Sequence, residues 1–312
     1  MDLYSNVEKK TLLSILIPTW ERCDTIEKIL YSSGVVGHPE VEFIIVDNAS
    51  SQHTKECLWQ IVTDKENVRL FINSENIGMV KNWNKSISKS SGEWLMLMCS
   101  DDIFVEGRVK EILELLKTKI DTPSLILQDE SLNSPIIKLP AGKDTINKIN
   151  LPIASGNIWH RSITDRVGGF DVRLEYSPDA EFWYRIAKDY PVFLLNRNIA
   201  KYQRNDTSYM WKTWGKDDFI DQIRLIISCK ARYYHPNITD NELVTIIDKE
   251  VWKTYLQILG DTIATKRHYL FKKYIIIALR EYRSIDELFE LVILLSRKVL
   301  INTIKTITKK GA

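Results

Sequence analysis

Cysteine is scarce in this sequence, and none of it forms a metal-binding motif. The four cysteines, Cys23, Cys57, Cys99 and Cys229, lie far apart and form neither a CxxC pair nor a Cys/His cluster. This spacing excludes a structural zinc site of the finger type. We therefore expect all four to be reduced, buried thiols.

Glycine-rich phosphate loops are also missing. No GxGxxG follows the first apolar run, which leads instead into PTWERCD, and no GxxxxGK[ST] occurs anywhere. Without these loops a pyrophosphate has no close approach to a helix N-terminus. The absence argues against a dinucleotide-dependent oxidoreductase and against a P-loop NTPase.

The chain lacks an excess of charge of either sign and lacks long apolar runs. Lys and Arg total 43 against 41 for Asp and Glu, so nucleic acid is not an expected partner. No run of about twenty apolar residues occurs, as a membrane-spanning helix would require. The N-terminal residues 1–14 carry acids and do not resemble a signal peptide. These features predict a cytoplasmic protein that does not span a membrane.

The sequence does contain short apolar runs that alternate with amphipathic segments over its first hundred residues. The runs at 14–18, 42–48, 68–73 and 94–99 are typical of buried strands. Helices are predicted from about 24 to 33, with Asp24 as N-cap, from 54 to 64 and from 79 to 90. Such alternation predicts an α/β fold with a mainly parallel sheet flanked by helices. In such sheets ligands bind at the carboxyl ends of the strands.

The rest of the chain divides into two parts. Residues 122–208 mix short strand candidates with Pro and Gly and one helix from about 179 to 188. From about residue 216 onward Gly and Pro become sparse and the pattern is helical. We therefore expect an α/β domain over 1–215 and a helical C-terminal region over 216–312.

Polar residues follow three of the predicted strands directly. Ser100-Asp101-Asp102 follows one, Thr19 and Glu21 follow another, and Asp47 closes a third. Adjacent carboxylates repel unless a cation or hydrogen bonds stabilise them, and their hard oxygens suit Mg²⁺ or Mn²⁺. By itself an SDD sequence is more often an acidic turn or a helix cap. Three polar strand ends on one sheet edge favour a binding site.

The ordered motifs give the sequence a family resemblance. They are SILIPTWER, IIVDNAS, NSENIGMVKNWNKSISKSSGEWLMLMCSDD, GGFDVRLEYSPDAEFWYRIAK and KYQRNDTS. Together they resemble the inverting, GT-A-fold glycosyltransferases of family 2, which build bacterial polysaccharides such as O-antigens. The resemblance covers residues 13–208 and implies a Rossmann-like GT-A domain that binds a nucleotide-sugar at about 13–120 and the acceptor at about 121–215.

The resemblance assigns a nucleotide-sugar site. By it, Thr19 and Glu21 lie beside the nucleobase, Asp47 hydrogen-bonds the base, Lys81 lies near the nucleotide and Arg204 lies near the diphosphate. Many relatives have Asn where Glu21 stands, and the histidine that accompanies Arg204 in the family is absent here. The nucleobase preference is therefore left open.

The same resemblance separates the three residues of the acidic motif. It implies that Asp101 contacts the ribose or the sugar and that Asp102 binds a divalent metal, Mn²⁺ or Mg²⁺. Ser100 stands where many relatives have an acid. We therefore expect Asp102 to be the metal ligand.

A general base is needed for inversion, because the acceptor hydroxyl must lose a proton as it attacks the anomeric carbon. Asp179 in PDAEFW matches the base of the family, and Glu181 is a second candidate. Asp is also a favoured N-cap, so a helix cap is the alternative for Asp179. His160 and Trp183 are candidates for the acceptor side, although a surface turn and core packing explain them as well.

The expected function is transfer of a sugar from a nucleotide-diphosphate sugar to a hydroxyl of a glycan or a lipid-linked glycan. A non-catalytic nucleotide- or sugar-binding module of the same fold is the alternative. The C-terminal region is rich in apolar and basic residues. Such helices can lie on an anionic membrane, which would place the protein at the inner face of the cell membrane, or they can pack on the catalytic domain or form a homodimer.

Overall fold

The computed structural model describes residues 11–120, 122–149, 153–201, 214, 216–265, 267–281, 284, 286–287, 289–291 and 293. Within it the chain forms two compact units, which divide near residue 205, with residues 233–235 grouped with the first unit. A functional boundary at 215 stays a prediction.

The first unit holds ten strands and seven helices among its described residues. The strands are β1 (Leu13–Thr19), β2 (Val41–Asp47), β3 (Val68–Ile72), β4 (Trp94–Leu97), β5 (Ile103–Phe104), β6 (Leu125–Gln128), β7 (Ile136–Leu139), β8 (Ile158–His160), β9 (Val192–Leu195) and β10 (Ala200–Lys201). The helices are α1 (Cys23–Ser33), α2 (Gln52–Val62), α3 (Met79–Lys89), α4 (Arg108–Thr118), α5 (Lys143–Lys148), α6 (Arg161–Val167) and α7 (Pro178–Asp189).

Eight of the strands form one sheet in the order β3-β2-β1-β4-β8-β6-β9-β7. Strands β1 to β4 are parallel to one another, and β6 is parallel to β9. Strand β8 runs antiparallel to both of its neighbours, and β7 runs antiparallel to β9 at the edge. The remaining two strands, β5 and β10, form a separate antiparallel pair. The predicted fold class, a mainly parallel sheet flanked by helices, is confirmed.

The central strands are buried along their whole length, which explains their continuous apolar sequences. All seven residues of β1 and all seven of β2 are buried. Strands covered on both faces cannot alternate polar and apolar residues, so their side chains form one core with those of the helices. This rigid core fixes the positions of the loops that follow β1, β2 and β4.

Two helix starts differ from the prediction. Helix α1 begins at Cys23, with Arg22 at the N-cap position, so Asp24 lies inside the first turn. Helix α2 begins at Gln52, and Ser51 caps it by accepting a hydrogen bond from the backbone of Thr54. In both cases a polar residue lies within the first turn, where a negative charge or a hydroxyl is also favoured.

The prediction that all cysteines are reduced is wrong for Cys23 and Cys57, which form a disulfide between α1 and α2. The two helices pack side by side, and the Cα atoms are 6.0 Å apart, within the range a disulfide requires. A separation of 34 residues hides this contact in the sequence. Cys99 and Cys229 are not part of this disulfide.

Glu42 holds the amino edge of the sheet together. Its buried carboxylate accepts hydrogen bonds from Ser14 Oγ at 2.7 Å, Ser91 Oγ at 2.9 Å and the backbone of Gly92 at 3.2 Å. Arg69 Nη1 lies 3.1 Å from it. Burial raises the pKa of Glu42, but these hydrogen bonds outweigh burial and the pKa is lowered. The ionised carboxylate therefore ties β1, β2 and the loop before β4 together.

We expect Glu42→Gln to lower the free energy of unfolding by about 1 to 3 kcal/mol, because buried donors lose a charged acceptor. Urea denaturation at pH 7 measures the loss. Since the folded pKa is lowered, the advantage of the wild type should vanish as the pH falls through that pKa. Glu40→Gln is the control, because Glu40 pairs with Lys117 at the surface, where ion pairs contribute little. Equal losses in the two variants would contradict this role for Glu42.

The second unit is helical, as predicted for the C-terminal region. It contains α8 (Phe219–Tyr234) up to Arg232, α9 (Asp240–Ala264) and α10 (His268–Glu281). Thr239 and Glu242 form a capping box at the start of α9. Helices α9 and α10 pack together, with Tyr274 buried. Over the described part of the chain, each helix is too short or too polar to cross a bilayer.

Candidate functional site

The carboxyl ends of β1, β2 and β4 meet at one edge of the sheet. Thr19 and Asp47, the last residues of β1 and β2, are partners in the parallel register. The backbone amide of Asn48 donates to the carbonyl of Thr19 at 2.9 Å, which extends the pairing beyond the strands. The structure thus brings the strand ends that the sequence singled out to one place.

Asp47 is completely buried and organises the turn that follows it. Its carboxylate accepts hydrogen bonds from the backbone amide of Ser50, at 3.0 Å, and from the Ser50 hydroxyl. A carboxylate has about four lone-pair sites, so these bonds leave acceptor capacity. Contact between Asp47 and a nucleobase stays a prediction.

Glu21 has a local task that the sequence did not reveal. Its backbone is in the left-handed region, with φ of 53°, and its amide donates to Ser50 Oγ at 2.8 Å. Its carboxylate accepts from Thr54 Oγ1 at 2.7 Å and from Ser51 Oγ at 2.9 Å, at the start of α2. The hydrogen bonds from Thr54 and Ser51 lower the pKa of Glu21. Glu21 therefore fixes the loop after β1 onto α2, and its contact with a nucleobase stays a prediction.

Trp20 is a further candidate for stacking on a planar ring of a ligand, a role that the sequence motifs did not assign to it. It stands between Thr19 and Glu21, and 53% of its surface is exposed, although most tryptophans in this unit are buried. An exposed indole at a sheet edge offers a flat apolar face for a planar ring. The sequence did carry a signal for this role, because an aromatic residue stands directly after a predicted strand.

A network of asparagine side chains holds the loop between β3 and α3. Asn48 bonds to Asn76 at 2.8 Å and to Asn73 at 3.0 Å, and Asn73 bonds to Asn82 at 2.9 Å. The network fixes the start of α3, where Lys81 lies exposed in the first turn. Lys81 is therefore on the loop side of the sheet, as its assignment requires, and its contact with a nucleotide stays a prediction.

The acidic motif is fixed from two sides. Thr25 Oγ1, in the first turn of α1, donates to the carbonyl of Ser100 at 2.5 Å. The Asp102 amide donates to the carbonyl of Cys99 at 3.1 Å, so the chain turns sharply after β4. Asp102 is 3% exposed, and its Oδ2 accepts a hydrogen bond from Ser155 Oγ at 2.5 Å, whereas Asp101 is more accessible.

Asp179 lies in the first turn of α7, but it is not the N-cap residue. Ser177 occupies the N-cap position, with φ of 46°, and Pro178 is the first helical residue. The alternative of a plain N-cap is therefore wrong. The side chain of Asp179 keeps partial access to solvent. Burial raises its pKa to about 6, although hydrogen bonds from its own amide and that of Ala180 act in the opposite direction.

The thiol of Cys99 lies within the electrostatic influence of three carboxylates. Burial raises the pKa of Cys99 well above its ordinary value, and the charges of Asp102, Asp101 and Asp179 add to the effect. The candidate metal ligand and the candidate base, 77 residues apart in sequence, thus both raise the pKa of one thiol that follows β4.

His160 lies at the opposite end of β4 from the acidic motif, and an acceptor role for it stays a prediction. Strand β8 runs antiparallel to β4 and pairs His160 with Trp94, at the amino end of β4. There the ring accepts from the Ser162 amide at 3.3 Å and caps α6, while Nε2 lies 3.5 Å from Glu93. The antiparallel direction instead brings Ser155, five residues earlier, to the carboxyl edge. The sequence SGNIWH does not indicate the direction of β8.

Trp183 lies in the core, which is the alternative to sugar stacking that the sequence offered. Its side chain is 0% exposed. It packs against the rings of Trp159 and Phe182, with centroids 5.5 and 5.3 Å away, and against Phe170. Because its side chain is buried among these rings, the indole has no exposed face on which a ligand could stack.

Glu181, the second candidate for the base, makes a structural ion pair, and a part for it in the reaction stays a prediction. It is 2% exposed, and its two oxygens accept from Arg185 Nε and Nη2, both at 2.8 Å. Arg185 also donates to the carbonyls of Val167 at 2.6 Å and Gly169 at 2.7 Å. The pair therefore clamps the turn before α7. The side chain of Asn84 fills the space that a Cβ on Gly169 would occupy, so glycine is required there.

Arg204 lies outside the described residues. The motif KYQRNDTS begins at Lys201, which pairs with Ile103 of β5, directly after Asp102. The described part of the motif therefore starts beside the acidic segment.

The carboxylates of the acidic motif are the donor atoms that could hold a metal ion at this sheet edge. Among the described residues, no three His, Cys, Asp or Glu side chains are arranged to hold a metal ion by themselves. Mg²⁺ commonly takes one or two carboxylates and completes its shell with water and substrate phosphates. Asp102, with Asp101 beside it, fits a cation that is shared with a diphosphate.

The comparisons with known proteins agree with this architecture. Residues 14–129 match the family model described as glycosyl transferase family 2. The putative teichuronic acid biosynthesis glycosyltransferase TuaG of Bacillus subtilis is 29% identical over 107 residues, 34% of this chain and 42% of the relative. The GalNAc(5)-diNAcBac-PP-undecaprenol beta-1,3-glucosyltransferase of Campylobacter jejuni is 26% identical over 103 residues, 33% of each chain. The chain thus spans less than half the length of these two relatives.

Solved structures share the fold. S. aureus TarS 1-349 in complex with UDP-GlcNAc aligns with a TM-score of 0.61 at 15% identity, covering 84% of this chain and 79% of that TarS chain. The mannosyltransferase PcManGT from Pyrobaculum calidifontis, in complex with GDP-Man and Mn2+, aligns with a TM-score of 0.55 at 13% identity. That alignment covers 93% of this chain and 81% of PcManGT. At these identities the likeness concerns the fold.

Proposed function

We propose that this protein is an inverting glycosyltransferase, because residues 14–129 match the glycosyl transferase family 2 model and the fold is similar to that of TarS. It would move a sugar from a nucleotide-diphosphate sugar to a hydroxyl of a glycan or a lipid-linked glycan. The observation that carries the proposal is that β1, β2 and β4 pair in parallel and end at one edge of the sheet, where Thr19, Asp47 and the acidic motif follow them.

The base in this proposal is Asp179. Its pKa of about 6 lies closer to neutrality than that of an ordinary aspartate, so at pH 7.5 it is ionised and more basic than usual. A base whose pKa lies near the working pH is the most effective. The acceptor hydroxyl would give its proton to Asp179 while its oxygen bonds to the anomeric carbon. The bond from that carbon to the diphosphate oxygen breaks at the same time, and the diphosphate leaves with the electron pair.

The donor side is formed by the loops after β1, β2 and β4. Thr19 and Asp47 flank the nucleobase in this proposal, and Asp101 contacts the ribose or the sugar. Asp102 would hold Mn²⁺ or Mg²⁺. When bound, such a cation neutralises the charge that develops on the leaving diphosphate. Neighbours of the same fold bind UDP-GlcNAc and GDP-Man, which supports a nucleotide-sugar donor without fixing its base.

The acceptor is proposed from the kind of relative that the chain resembles. One relative is named for teichuronic acid biosynthesis and another for a glycan on PP-undecaprenol. Both names describe polymers or lipid-linked glycans, so a hydroxyl on a bacterial glycan is the proposed acceptor. Membrane contact or dimerisation through the C-terminal helices, and a location at the inner face of the cell membrane, stay predictions.

A thermal-shift panel tests the donor class. We expect one nucleoside diphosphate, among UDP, GDP, dTDP and ADP, to raise the melting temperature by at least about 2 °C in the presence of MnCl₂. Its sugar conjugates should act likewise, and EDTA should remove the effect. A flat response across the panel would contradict the proposed function. Stabilisation without release of nucleoside diphosphate under any acceptor would favour the non-catalytic binding module.

A further inference from the structure

Ser155 lies beside Asp102, although 53 residues separate them in sequence. It is completely buried in the loop before β8, and its hydroxyl lies 2.5 Å from Asp102 Oδ2. We propose that Ser155 is a positioning residue, whose hydroxyl orients the Asp102 carboxylate for a divalent cation. This inference rests on the proposed function, because it gives Asp102 the role of metal ligand.

The direction of the hydrogen bond follows from a third group. The backbone amide of Cys99 donates to Ser155 Oγ at 3.0 Å, and an amide can only donate. The serine oxygen is therefore the acceptor in that bond. Its single proton remains for Asp102, whose carboxylate can only accept when it is ionised. The arrangement holds one carboxylate oxygen in a fixed place.

Ser155 is itself held by the backbone around it. The amide of Gly156 donates to the carbonyl of Leu97 at 2.8 Å, and the Leu97 amide donates to the carbonyl of Asn157 at 3.2 Å. Gly156 has φ of 84°, and a Cβ there would lie 3.0 Å from Ile199 Cβ, so glycine is required. The segment is thereby locked onto the end of β4.

Gln128 adds a second anchor. This residue is 3% exposed, and its Nε2 donates to the Ser155 carbonyl at 2.7 Å. Its Oε1 accepts from the amide of Ile199 at 2.8 Å, just before β10. One amide side chain therefore fixes Ser155 and the strand that leads into KYQRNDTS. A carboxylate supported in this way is held at a fixed angle before a cation arrives.

The support that Ser155 gives to Asp102 predicts a change in metal affinity. Removal of a hydrogen-bonding partner of a metal ligand commonly weakens metal binding by roughly 10- to 100-fold. A merely structural serine would alter folding stability and leave metal affinity unchanged. The two roles are therefore separated by measuring metal affinity and stability in the same variants.

The experiment titrates MnCl₂ into the full chain with saturating UDP and, in parallel, with saturating GDP, and follows free Mn²⁺ by electron paramagnetic resonance. We expect Ser155→Ala to raise the Kd for Mn²⁺ by at least about tenfold. Ser155→Cys keeps the shape and replaces the hydroxyl by a weak donor, so it should weaken binding in the same direction. Ser124→Ala is the matched control, because the buried hydroxyl of Ser124 has no hydrogen-bond partner among the described residues, and its Kd should equal that of the wild type.

A double-mutant cycle with Asp102→Asn completes the test. If Ser155 acts through Asp102, Ser155→Ala will weaken Mn²⁺ binding in the wild type and will have no further effect in the Asp102→Asn background. Two results would overturn the role of Ser155 without affecting the proposed function. One is an unchanged Mn²⁺ affinity in both folded Ser155 variants, and the other is an equal effect of Ser155→Ala in the two backgrounds. A wild type that binds no Mn²⁺ with either nucleotide would overturn the proposed function together with it.

Discussion

Asp179→Asn should slow sugar transfer by roughly 10²- to 10⁴-fold, the usual contribution of a general base, and should make the folded protein more stable. The two effects have one cause. Burial raises the pKa of Asp179 to about 6, so the ionised carboxylate is held in surroundings that disfavour its charge. Asparagine removes the charge and the ability to take a proton.

The sign of the stability effect follows from linkage. A carboxyl group whose folded pKa is raised above its ordinary 3.8 stabilises the folded state at low pH, and that contribution is lost as the pH rises through about 6. At pH 7.5 the difference corresponds to at most about 3 kcal/mol. We therefore expect Asp179→Asn to raise the free energy of unfolding at pH 7.5 and to change it little at pH 3.5. Urea denaturation at the two pH values measures both.

The matched control is Asp171→Asn in the turn before α7. Asp171 pairs with Arg173, whose hydrogen bond lowers the pKa of Asp171, so its removal should slightly destabilise the protein at pH 7.5 and leave transfer intact. In the wild type, kcat/KM should fall as the pH drops through about 6, because Asp179 becomes protonated. A destabilised but fully active Asp179→Asn would show that the carboxylate serves only the start of the helix.

Asp102→Ala is expected to have the second large effect, a loss of metal-dependent turnover by at least about 100-fold, because the proposed cation, which is shared with the diphosphate, loses its protein carboxylate. The variant should also lose the stabilisation that MnCl₂ gives in the presence of the nucleotide. Thermal melting with nucleotide, with and without MnCl₂, follows the binding, and release of nucleoside diphosphate follows the turnover.

Asp129→Ala is the control for Asp102. Asp129 follows the end of β6, as the acidic motif follows β4, and its carboxylate bonds to Ser131 two residues later. It should retain the response to MnCl₂ and its turnover. If Asp102→Ala kept both properties, the metal ligand would have to be another residue.

The sequence allowed the sheet and its polar edge to be predicted for a physical reason. The strands β1, β2 and β4 are buried on both faces, so apart from Ser14 and Glu42 they are apolar until polar residues mark their carboxyl ends. Thr19 and Asp47 are therefore conspicuous in the sequence itself. Their alignment follows from parallel pairing, which the intervening helices require.

The side-chain environments and the strand directions could not be predicted from the sequence in this way. Nothing in SGNIWH indicates that β8 runs antiparallel to β4. Because of this direction Ser155, and not His160, lies beside the acidic motif. Trp183 occupies a helix position that faces the core, which depends on how α7 packs. The disulfide between Cys23 and Cys57 likewise depends on two helices being neighbours in space.

The measurement that tests the proposed mechanism most directly is ¹H NMR of the reaction mixture, with the nucleotide-sugar selected by thermal shift, MnCl₂ and a glycan acceptor. The anomeric proton coupling reports the configuration at the transferred carbon. Direct displacement predicts that donor loss matches nucleoside diphosphate formation, that the new linkage has the inverted configuration, and that Asp179→Asn gives no product. A product of retained configuration, or full turnover by Asp179→Asn, would contradict direct displacement with Asp179 as the base.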